Sequence, residues 1–157
     1  MPACLDDSEA IQLSGDLSGL ATLVERTERL LAKSARDDDY LDGVALGLHG
    51  FYSGAERIFE SIAREIDGAV PRGPDWHRDL LIQMSADVPG SRPAAISRNS
   101  WLCLDDYRGF RHVVRNVYAF SLREDRVREL GSGLRACFDG LSRDLESLCA
   151  FLERPTE

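Results

Sequence analysis

Residues 104–120, LDDYRGFRHVVRNVYAF, are the stretch from which the fold of this 157-residue chain is read. At about 100° per residue, Phe110, Val113, Val114 and Val117 fall on one side of a helix, with Arg108, Arg111, His112 and Arg115 opposite. Asn116 and Tyr118 stand on the shoulders of the cationic side, so an amide and a phenol flank three guanidinium groups. A helix with one apolar stripe buries it against a neighbouring element. The cations on its other side make a site for an anion.

Working outward, the same period recurs. A last helix is expected from about Arg123 to Glu153, with Val127, Leu130, Leu134, Phe138, Leu141, Leu145, Leu148 and Leu152 as its stripe. Gly131, Gly133 and Gly140 weaken it, each by up to about 1 kcal/mol relative to alanine, and mark where it would bend. Upstream, Ser97 or Ser100 caps the helix of the opening stretch, and VPGSRPAAIS before it is a breaker-rich loop. WHRDLLIQMSAD reads as a short helix capped by Asp75, and Gly68, Pro71, Gly73 and Pro74 separate it from the helix before. That earlier helix starts at the acidic run Asp37 to Asp39, where the helix dipole favours negative charge. It ends near Asp67 and carries the stripe Val44, Leu48, Phe51, Ala55, Ile58, Ile62 and Ile66. Leu13, Leu17, Leu20, Val24 and Leu31 mark the first helix, from Ser8 to about Ala35. No segment alternates as a strand does. Four long helices and one short one predict an all-α, antiparallel helix bundle, with the short extra helix in a long connection from Gly68 to Ile96 that lies across a bundle end.

The size fits one domain over residues 1–157, long enough to bury a core without staples. No apolar run approaches the roughly 20 residues that span a bilayer, and MPACLDDSEA has no export pattern. The expectation is a cytoplasmic protein with no membrane partner. The net charge of −8 argues against indiscriminate coating of nucleic acid. It is unevenly spread: residues 1–70 carry 6 Lys+Arg and 14 Asp+Glu, whereas residues 71–122 carry 7 and 5. The positive segment contains the opening stretch. Cys4, Cys103, Cys137 and Cys149 lack metal-ligand spacing and are expected as free buried thiols. His49, His77 and His112 are scattered, so no metal and no cofactor is expected.

The order Arg111, polar His112, spacer, Asn116, one residue, Tyr118 resembles the motif of the HepT-like toxins of the HEPN superfamily. That motif is an arginine, a polar residue, a short spacer, a histidine, one residue and a tyrosine. The resemblance extends to FYSGAERIFESIAREID at residues 51–67 and to DWHRDLL at residues 75–81, and so covers roughly residues 40–125. It implies a HEPN-like all-α bundle that forms a homodimer through the motif helix. It further implies a metal-independent endoribonuclease acting on RNA in the shared cleft, held in check by a nucleotidyltransferase-type antitoxin. Arg111 would stabilise the charge of the phosphorane, and Tyr118 would be the position at which the antitoxin attaches AMP.

The chain departs from the motif at Asn116, which stands where histidine is expected. Its amide binds phosphate but does not exchange a proton near neutral pH. His112 titrates in a useful range and lies one turn earlier. The catalytic set is therefore Arg111 with His112 and Asn116, with Arg108 and Arg115 as auxiliary RNA contacts or surface charges. Tyr52 and Glu56 lie one turn apart beside an apolar stripe, and a half-buried carboxylate needs a cation, which points Glu56 to Arg111 or Arg57. Trp76 and Trp101 read as packing, and no role is assigned to His77. Two further functions stay open: a catalytically degenerate RNA- or antitoxin-binding helical protein, and a structural helical protein whose basic face pairs with an acidic partner.

Overall fold

A computed structural model describes residues 7–116 and 123–153, with side chains for residues 8–111 and 123–153. Helix α1 runs over Asp7–Ser34, α2 over Leu41–Ile62, α3 over Trp76–Met84, α4 over Arg98–Asn116 and α5 over Glu124–Leu152. Among the described residues there is no strand, only one isolated bridge between Val88 and Arg92. The expected all-α antiparallel bundle, with a short helix in its long connection, is the observed architecture.

The stripes read from the sequence make the core. On α5, Val127, Leu130, Leu134, Phe138, Leu141, Leu145, Leu148 and Leu152 are all buried. On α1, Leu13, Leu20 and Val24 are buried while Leu17 and Leu31 pack at its margin. Helix α2 is the centre, packed against α1, α3, α4 and α5. It buries Phe51, Tyr52, Ala55, Glu56, Ile58 and Phe59 in close succession, so its hidden face is wider than a single stripe.

Side-chain register gives the directions. Along α2, Gly43, Gly47, Gly50 and Gly54 face Leu30, Thr27, Leu23 and Leu20 of α1 in descending order. The two helices are antiparallel, as a short connection requires. A β-carbon at Gly47 would overlap Thr27, whose hydroxyl is already bonded to the Leu23 carbonyl at 2.8 Å, so glycine is what lets the backbones approach. Helices α4 and α5 run antiparallel as well: Ser97 ahead of α4 meets Asp144, Cys103 meets Cys137, and Tyr107 reaches the Leu130 carbonyl at 2.7 Å. The expected bend at the α5 glycines is not a break. The helix continues through them, and Gly131 instead makes room for Leu31 and Val44.

The ends follow local chemistry with two corrections. Asp37 accepts from the Asp39 amide at 2.9 Å and opens a 3₁₀ turn, Asp38–Tyr40, that leads into α2. Ser97 caps α4 by accepting from the Ser100 amide, and its own hydroxyl and amide bond Asp144 of α5. Asp75 precedes α3, but its carboxylate makes no capping bond. Helix α2 closes through a π turn, Ala63–Asp67, onto Gly68 at φ 72°, a left-handed position suited to glycine. The second correction concerns the thiols expected to be free. Cys103 and Cys137 form a disulfide across α4 and α5, because the antiparallel register brings their Cα atoms to 6.0 Å. Cys149 remains a free thiol, half-buried, and Cys4 lies outside the described residues.

The connection between α2 and α4 is held by a buried ion pair that the sequence reading did not find. Arg92 bonds both oxygens of Asp67 at 2.7 Å and the carbonyls of Ala86, Pro93 and Gln83. Gln83 of α3 bonds Asp67 and the Ala69 carbonyl, so the start and finish of the connection are tied to α3. That anchor fixes where α3 lies, and α3 carries one wall of the site.

Candidate functional site

Three helices meet at the site. From α2 come Tyr52 and Glu56, one turn apart; from the first turn of α3, Trp76 and His77; from α4, Arg108 and Arg111. Glu56 is a carboxylate only 5% exposed, and of the two arginines offered to it by the sequence, it meets Arg111: Oε1 lies 3.3 Å from Arg111 Nη1. Its other oxygen, Oε2, lies 2.6 Å from His77 Nδ1. One buried carboxylate therefore holds both a guanidinium and an imidazole.

The third side of this triangle is unusual. Arg111 Nη1 lies 2.9 Å from His77 Nδ1 and 3.3 Å from His77 Nε2. A nitrogen so close to both ring nitrogens would collide with the carbon between them if it lay in the ring plane. It therefore sits out of the plane, over the face of the imidazole. The Trp76 ring also packs on that imidazole, with centroids 3.6 Å apart and planes inclined by 30°. His77 has its Nδ1 proton pointed at Glu56 and its orientation fixed by rings and charge.

Arg111 is not saturated. Its Nε is buried and makes no hydrogen bond, although buried donors in folded proteins are seldom left so. The side chain as a whole is 19% exposed and that of His77 is 22%, so both reach solvent where Glu56 does not. Tyr52 is buried beside them. Burial pushes its phenol far above the ordinary range, the Glu56 charge adds to this, and Arg108 and Arg111 oppose it.

The remaining residues named from the sequence are placed less fully. Arg108 pairs with Asp105 one turn back, at 2.7 Å and partly exposed, the local pairing of a helix surface. Arg115, His112 and Asn116 lie on α4, with side chains outside those described, and Tyr118 lies outside the described residues. His77 is the member that the sequence reading passed over. Its signal was its place after a tryptophan in the first turn of a short helix, within the segment DWHRDLL that carried part of the resemblance.

Among the described residues no helix is long and apolar enough to cross a membrane. The sequence profile of one family, described as HepT-like protein, matches residues 43–152, which span α2 through the end of α5 and include every residue of the cluster. No curated protein and no solved structure matches the chain.

Proposed function

Since this chain belongs to the HepT-like family of the HEPN superfamily, we propose that it is the toxin of a toxin–antitoxin pair, a metal-independent endoribonuclease of the cytoplasm. It would act as a homodimer, with RNA bound in a cleft between the two α4 helices, and a nucleotidyltransferase-type antitoxin would restrain it, with Tyr118 as the position taking AMP. The observation that carries this reading is Arg111: a partly exposed guanidinium beside His77, held from below by buried Glu56. Such a group binds a phosphodiester and stabilises the charge that develops at phosphorus. Asn116 does not exchange a proton near neutral pH, so on this reading the proton transfer falls to an imidazole.

Asn116 also favours a second reading, a degenerate relative that binds RNA or the antitoxin without cutting. One experiment separates them. The purified chain is incubated with a mixed-sequence RNA pool in the presence of a chelator, beside Arg111→Lys, which keeps a cation for Glu56 but loses the planar fork. The parent is expected to cleave, and the variant to cleave about 100- to 1,000-fold more slowly. Equal cleavage by both removes Arg111 from the reaction. RNA binding or antitoxin binding without cleavage establishes the second reading. Light scattering on the same sample is expected to give twice the chain mass.

A further inference from the structure

We propose that His77, oriented by Glu56, is the proton-transfer residue of this site, taking the place that Asn116 leaves empty. The proposal rests on the ribonuclease reading above and adds the identity of the base. Its ground is the geometry of the ring. Nδ1 is committed to Glu56, whose Oε2 lies 2.6 Å away and, as a carboxylate oxygen, accepts. That bond fixes Nδ1 as the protonated nitrogen of the neutral ring and leaves Nε2 as the basic one. Because Arg111 lies over the face, it does not consume the in-plane lone pair of Nε2.

A phosphodiester seated on the exposed part of the Arg111 guanidinium would come near Nε2, since Nε2 is 3.3 Å from Nη1. The 2′-hydroxyl of the RNA would give its proton to Nε2 as the 2′-oxygen bonds to phosphorus. The bond from phosphorus to the 5′-oxygen breaks, and that oxygen takes the proton back from the imidazolium. The products are a 2′,3′-cyclic phosphate and a 5′-hydroxyl, and the protein returns to its starting state. Glu56 is the positioning residue: its charge offsets the imidazolium during the cycle, as the carboxylate does in a serine–histidine–acid triad. Trp76 keeps the ring from turning away.

The test uses the full chain, with His77→Ala, His77→Gln, Glu56→Gln and His112→Ala compared with the parent on the RNA pool. His77→Ala and His77→Gln are expected to lose about 100- to 10,000-fold in kcat with little change in KM, the usual worth of a general base. Added imidazole is expected to restore cleavage by His77→Ala, a response that a purely structural residue would not give. Glu56→Gln is expected to slow the reaction less and to move the histidine limb of the pH–rate profile. As a measure that needs no variant, diethyl pyrocarbonate on the parent should abolish cleavage in step with carbethoxylation of His77, mapped by peptide mass, and RNA should protect. The proposal is overturned if the parent cleaves while both His77 variants cleave as well. It is overturned equally if loss at His77 is not rescued by imidazole, if only His112→Ala loses activity, or if fully modified parent still cleaves. A parent that cleaves no RNA at all overturns the ribonuclease reading, and this proposal with it.

Discussion

Arg92 and Arg111 each meet a carboxylate that is only 5% exposed, and the two encounters are built differently. Arg92 is wholly buried and spends every one of its five N–H groups: two on the oxygens of Asp67, three on the carbonyls of Ala86, Pro93 and Gln83. Its short bonds to Asp67, at 2.7 Å, form a planar fork. Arg111 reaches Glu56 at 3.3 Å through one nitrogen, leaves Nε unbonded, and keeps 19% of its side chain exposed. An unmade buried hydrogen bond costs about 1–3 kcal/mol. A saturated, buried arginine is an anchor; Arg111, less fully bonded and in part exposed, is held more loosely.

The difference predicts unequal losses. Arg92→Ala leaves the buried Asp67 carboxylate with Gln83 as its remaining side-chain partner and removes the bonds to the Ala86 and Pro93 carbonyls, and is expected to cost about 3–5 kcal/mol in urea unfolding. Arg111→Ala leaves Glu56 still hydrogen-bonded to His77, and is expected to cost only about 1–3 kcal/mol. The comparison breaks if the two costs are equal, since Arg111 would then also be an anchor. It sharpens if Arg92→Ala, at a temperature where it stays folded, loses less RNA cleavage than Arg111→Ala, since Arg92 reaches the site only through the placement of α3.

This contrast also marks what a reader of the sequence sees. The long helices were legible because their stripes repeat every three and four residues over several turns, and a stripe such as Val127 to Leu152 has no other solution. Glu56 was legible as a carboxylate too close to an apolar stripe to stand alone, so a cationic partner was required. His77, Arg92 and the Cys103–Cys137 pair were not legible, because their meaning lies in partners 21, 25 and 34 residues away. Nothing local distinguishes Arg92 from Arg98, or Cys103 from Cys149. Only the antiparallel register of α4 and α5 and the docking of the connection decide which of them is tied. The widened face of α2 escaped for the same reason: it touches neighbours on several sides, which periodicity along one helix does not reveal.

The disulfide sharpens the comparison from the side of α4. It ties α4 to α5 two turns ahead of Arg111, and so helps hold the helix that carries Arg111. In the chain-entropy account a loop of this length is worth about 3–4 kcal/mol, and measured values run near 2–4. Cys103→Ser is expected to lower stability by that amount under oxidising conditions and to make the protein indifferent to dithiothreitol. The parent should fall to the stability of the variant when reduced. Equal urea midpoints for oxidised and reduced parent would show that register is held by the stripes alone.

The smallest effect is a dependence on pH, and it reports whether the cluster stays closed. Tyr52 lies against Glu56 and is 1% exposed, and its phenol is pushed far above the usual value of about 10, first by burial and then by the Glu56 charge. Tyr107 is shifted the same way by burial and by Asp106. In each case the folded state holds the proton more tightly than the unfolded chain does. The stabilisation from this is therefore complete below about pH 10 and is lost as pH rises beyond it, by up to about 1.4 kcal/mol per pH unit for each phenol. Tyr52→Phe removes one of the two protons, so its stability should decline less steeply than that of the parent above pH 10 and match it in slope below. Absorbance near 295 nm should show the two phenols ionising only as the chain unfolds. If Tyr52 ionises while the fold persists, hydroxide reaches the floor of the cluster. Glu56 would then be an open carboxylate, and the unsatisfied Arg111 would have water where the comparison with Arg92 requires none.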